Sequence, residues 1–94
     1  MIAITRYRVP QERADGFAAE MTAVLETLAA SAGFRSGRLA RTVDEPDLWA
    51  LVTEWDGAGF YRRALGAYDV RVLFIPLAAY ALDEAGAYEV VAGR

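Results

Sequence analysis

The 94-residue chain carries a net charge of −3, is 55% apolar, and contains no Cys, His, Lys or Asn. Disulfides, thiolate metal sites, cysteine nucleophiles and Schiff-base lysines are therefore excluded, a serine triad lacks its histidine, and the commonest general base and transition-metal ligand are missing. The acidic balance argues against nucleic acid, no apolar run is long enough to span a bilayer, and the length suits one domain over 1–94.

Ile2 to Val9 alternates side chains as a strand does, and Pro10 stops it. Tyr7 falls on its more apolar row, either as a core residue or with its hydroxyl in a pocket. The segment lacks the charged start and long apolar centre of a signal peptide, which points to a cytoplasmic protein. From Gln11 to about Ala32 the residues Phe17, Met21, Val24, Leu25 and Leu28 form one helical stripe, and Gly33 stands where a left-handed cap belongs. Phe34 to Val43 reads as a second strand, with Gly37 marking a bulge or a close backbone approach. The turn Asp44-Glu45-Pro46-Asp47 follows, its Asp side chains suited to bonding nearby amides.

The third strand, Leu48 to Asp56, carries two largely apolar rows. Trp49, Leu51, Thr53 and Trp55 make one; Leu48, Ala50, Val52 and Glu54 make the other. Such a strand needs cover on both faces. Gly57-Ala58-Gly59 leads into a short helix with Phe60, Tyr61, Ala64 and Leu65 inward and Arg62 and Arg63 outward. Asp69 is expected to cap another helix, through Val70 and Phe74, that Pro76 breaks. Ala87 to Ala92 reads as the last strand. Arg6, Arg8, Arg35, Arg38 and Arg41 read as solvated edges and ion pairs.

The order β-α-β-β-α-β is the split βαβ pattern: an α+β, ferredoxin-like fold with a four-stranded antiparallel sheet and helices on one face. The uncovered face, with Leu48, Ala50 and Val52, calls for a second copy packed sheet to sheet.

These marks together resemble the antibiotic biosynthesis monooxygenase family of dimeric α/β barrels. The matching residues are Arg6-Tyr7-Arg8-Val9-Pro10, Gly33-Phe34, Asp44-Glu45-Pro46-Asp47, Glu54-Trp55, Pro76-Leu77 and Tyr88-Glu89-Val90-Val91. The resemblance implies a homodimer with a pocket between sheet and helices in each subunit. It also implies oxygenation of a phenol, anthrone or quinol without metal or flavin, the substrate anion reacting directly with O₂. Trp55 matches the tryptophan that anthrone-oxygenating relatives use, and Tyr61 matches a tyrosine on the following helix. Their asparagine has no counterpart here. Their arginine could be Arg62, Arg63 or Arg71, and Arg63 is taken as the candidate. The asparagine and histidine of haem-degrading relatives are both missing, so that activity is rejected. The expected catalytic set is thus Trp55, Tyr61 and Arg63, and the substrate-facing set is Tyr7, Trp55, Phe60, Tyr68 and Phe74. No cofactor, metal, nucleic acid or membrane partner is expected. The alternative is a non-catalytic ligand-binding or structural homodimer of the same fold.

Overall fold

In a computed structural model describing residues 1–94, the alternation noted above becomes a sheet. The strands β1 (Ile2–Arg8), β2 (Phe34–Arg41), β3 (Leu48–Trp55) and β4 (Ala87–Tyr88) lie in the order β2-β3-β1-β4. Every pairing is antiparallel. Helices α1 (Ala14–Ala29), α2 (Ala58–Gly66) and α3 (Tyr68–Phe74) complete the α+β ferredoxin-like fold, with 3₁₀ segments at Gln11–Arg13 and Ile75–Tyr80.

β3 sits at the centre, paired with β1 through Tyr7↔Trp49, Thr5↔Leu51 and Ala3↔Thr53. These residues line the face that the helices cover. Trp49, Leu51, Thr53 and Trp55 are all buried. The α1 stripe Phe17, Met21, Val24 and Leu28 is buried against them. Each large apolar side chain so covered contributes about 1.5–3 kcal/mol. The Phe17 ring stands 5.4 Å from both Tyr7 and Trp49, tilted against one and edge-on to the other. Gly33 has φ +82°, but it does not cap α1, whose cap is right-handed Ala30; it sits in the turn closed by Phe34 N donating to Ser31 O at 3.2 Å, which leads into β2. Gly37 is a close approach: a Cβ there would lie 2.5 Å from Leu25 Cδ1. The bulge falls next to it, between Phe34 and Ser36.

Further expectations change, beginning with the second strand, which ends at Arg41 rather than Val43. The first helix opens with a 3₁₀ turn and ends at Ala29 rather than about Ala32. The last strand spans two residues, not six: Tyr88 pairs with Ile2, the first paired residue of β1, so Val90 and Val91 have no strand beside them and stay exposed. Asp69 does not cap α3. Extended Ala67 does so without a side-chain bond, which puts Asp69 inside the first turn, where its charge suits the helix dipole. In the β2–β3 turn the Asp side chains do not hold the amides. Thr42 Oγ1 accepts from Glu45 N at 2.9 Å, while Asp47 pairs with Arg8 at 2.8 Å.

Candidate functional site

The sheet and the helices do not close completely. A cavity of about 80 Å³ remains between them, lined by Thr5, Tyr7, Leu51 and Thr53 from the sheet, Val24 and Leu28 from α1, Tyr61 and Leu65 from α2, and Phe74 from α3. Its lining is apolar except for hydroxyls: two threonines and two tyrosines. No Asp, Glu or Arg borders it, and no group of carboxylates approaches metal-ligating geometry. Its chemistry is that of neutral O–H groups in a dry surround.

Tyr7 is fully buried, and its hydroxyl has no hydrogen-bond partner in the chain. A buried polar group without a partner costs about 1–3 kcal/mol. Burial raises its pKa above the ordinary tyrosine value, and the nearby Thr5 hydroxyl, short of a formed hydrogen bond, offsets only part of the rise. Tyr61 responds the same way: burial raises its pKa and Thr5 opposes. Both phenols stay protonated near neutral pH and present donors rather than bases.

Trp55 follows Thr53 on the same row of β3, beside the cavity rather than in its wall. Its ring is buried between Phe34 at 5.3 Å and Tyr61 at 5.7 Å. Although Trp55 stands in both the expected catalytic and substrate-facing sets, its indole N–H is taken up within the chain. Nε1 donates to Thr53 Oγ1 at 2.8 Å, and the indole does not border the cavity.

The other expected residues divide. Tyr7, Tyr61 and Phe74 come together around the cavity. Phe60 does not, because its ring covers Gly33: a Cβ on that glycine would lie 2.3 Å from Phe60 Cγ. Arg63 does not either; its guanidinium lies 4.8 Å over the outer side of the Phe60 ring. Tyr68 is exposed on a surface groove with Arg71, and Arg62 borders another with Tyr88 and Glu89. None of the three candidate arginines reaches the cavity. Thr5 and Thr53 were missed, although a polar residue on each otherwise apolar helix-facing row was the signal that could have found them.

The antibiotic biosynthesis monooxygenase family profile matches residues 1–66. No curated protein matches the chain. Among solved structures, a candidate antibiotic biosynthesis monooxygenase from Nitrosomonas europaea superposes with a TM-score of 0.83 at 12% identity, covering 96% of this chain and 88% of its own. A variant of SnoaB, a cofactor-independent oxygenase from Streptomyces nogalater, gives 0.76 at 21% identity, covering 86% of this chain and 82% of its own. A conserved protein from Methanosarcina mazei Go1 gives 0.78 at 15% identity, with 92% and 84% covered. Likeness at these identities establishes the shared fold. No helix is long and apolar enough to cross a membrane.

Proposed function

Because the chain belongs to the antibiotic biosynthesis monooxygenase family, we propose that it is a cofactor-independent monooxygenase that oxidises a phenol-, anthrone- or quinol-type substrate with O₂ inside the cavity between sheet and helices. The observation that carries this reading is the buried, unpartnered Tyr7 hydroxyl at the cavity wall. A substrate that loses a proton becomes an electron-rich anion with its charge on oxygen. A neutral O–H donor fixed in an apolar surround stabilises that charge. The anion attacks O₂; one oxygen atom ends in the product, the other leaves as water, and every electron comes from the substrate. The proton departs to solvent, since the lining holds no carboxylate base, and solvent returns one to the oxygen that leaves, which makes it water rather than hydroxide.

Size constrains the substrate. An apolar cavity of about 150 Å³ holds one benzene ring, and about 80 Å³ is enclosed here. A bound ring therefore displaces part of the roof formed by Tyr61, Leu65 and Phe74, and a single ring displaces least. A homodimer through the outer sheet face accompanies this reading. Ile2, Ile4, Ala50 and Val52 lie there only partly buried, on the face opposite the helices. Light scattering at micromolar concentration tests it.

A second reading has its own support: no arginine and no indole N–H reach the cavity, so the domain binds an aromatic ligand without oxidising it. Oxygen-electrode assays over single-ring quinols, naphthoquinols and anthrones separate the two. The oxygenase reading expects substrate-dependent O₂ uptake that falls in Tyr7→Phe. Saturable ligand binding with no uptake across the panel leaves the binding reading.

A further inference from the structure

Thr53 is 2% exposed and borders the cavity. Its oxygen accepts the Trp55 Nε1–H at 2.8 Å, and no protein acceptor takes its own O–H. A hydroxyl has one hydrogen to give. With a lone pair engaged by the indole, the Thr53 rotor loses orientations, and the accepted bond polarises its O–H. Trp55 cannot easily turn away. Its ring is wedged between Phe34 and Tyr61, and it is itself almost fully buried.

We propose that Thr53 is a second ligand-facing hydrogen-bond donor of this cavity beside Tyr7, holding the oxygen of a single-ring phenol or quinol, and that Trp55 acts through it as a positioning residue. This deepens the substrate reading above and rests on the cavity being the ligand site. Trp55 then never touches the ligand. It sets the direction of the hydroxyl that does. A ring bearing an oxygen is favoured over the same ring without one, because only the former takes up the buried donor.

The test is a ¹⁹F NMR titration of the folded protein with 4-fluorophenol and with fluorobenzene, comparing wild type, Thr53→Val, Thr53→Ser, Trp55→Phe and the Thr53→Val/Trp55→Phe double variant. Thr53→Val keeps the shape and removes the donor. It is expected to lower the affinity ratio of 4-fluorophenol to fluorobenzene about tenfold, the scale of one hydrogen bond, with Thr53→Ser restoring the ratio. Trp55→Phe lowers the ratio when Thr53 is intact and not in the Thr53→Val background, as a residue acting only through Thr53 must. The proposal is overturned if Thr53→Val weakens both ligands alike, if Trp55→Phe lowers the ratio equally in both backgrounds, or if wild type binds neither ligand saturably. Should Trp55→Phe fail to fold, the Val and Ser variants of Thr53 still decide the donor role. O₂ uptake with a single-ring quinol, measured on the same proteins, separates the two levels. Selectivity that depends on Thr53 without uptake sinks the oxygenase reading and keeps the donor. Uptake with a ratio untouched by Thr53→Val does the reverse.

Discussion

Replacing Tyr7 by Phe removes one oxygen and keeps the ring. The ring contacts with Phe17 at 5.4 Å and Phe74 at 6.4 Å survive, so no cavity opens and the transfer energy of the aromatic group is retained. What disappears is a buried hydroxyl without a protein partner. Its desolvation cost, about 1–3 kcal/mol, is released. Tyr7→Phe is therefore expected to stabilise the fold by about 1–2 kcal/mol, a rise in Tm of roughly 4–8 °C per kcal/mol for a domain this small. Activity moves the other way. Loss of one donor to a developing oxyanion costs about 10²-fold in kcat. Thermal and urea denaturation, paired with O₂ uptake, read both quantities in one preparation. A Tyr7→Phe protein that is less stable than wild type would refute the reasoning, because it would mean that the hydroxyl is well satisfied in the resting fold. A more stable protein with unchanged turnover would confine Tyr7 to packing.

The remaining expectations are narrower. Gly33→Ala meets both a φ of +82° and the Phe60 ring 2.3 Å from the new Cβ, so it should destabilise by about 2–4 kcal/mol in urea titration, strain and overpacking adding. Arg63→Ala should leave turnover within about twofold, since its guanidinium lies over Phe60 and outside the cavity; a larger loss would restore it to the site. Tyr7 and Tyr61 both have pKa values raised above the ordinary 10.0. Below that value neither state ionises; above it the unfolded chain loses protons first, so stability should fall with rising pH, and less steeply in Tyr7→Phe. On the acid side, Asp47 and Glu84 are held below their usual values by Arg8 and Arg6. Their contribution is present above the ordinary carboxylate range and is lost as pH falls through the lowered values, which a salt-dependent acid melt will show.

The two rows of β3 and the stripe of α1 were legible because periodicity reports which face a residue occupies. Gly33, Gly37 and Pro76 were legible because backbone restrictions are local. Partners within a face were not. Trp55 and Thr53 share a row, and nothing in a period of two says that the indole N–H is taken by the Thr53 hydroxyl, or that Phe60 is drawn away to cover Gly33. The end of the last strand was equally hidden. Ala87 to Ala92 is strand-like in composition, yet how far it pairs depends on where β1 starts, a fact of register rather than of propensity. Asp69 was misread for a related reason: an acidic residue suits both a cap and a first turn, and only the Ala67 backbone decides between them.

The position of β3 in the sheet has a kinetic consequence. Its backbone is bonded to β1 on one edge and β2 on the other, whereas α2 and α3 are short helices with one buried residue each. Amide hydrogens from Leu51 to Trp55 should be among the last to exchange, and those of α2 and α3 among the first. The walls of the cavity thus differ in lifetime. Leu51 and Thr53 belong to the part that persists until global unfolding; Tyr61, Leu65 and Phe74 belong to the part that opens locally. A guest can enter by loosening the helical side alone, while the hydroxyl-bearing floor keeps its register throughout.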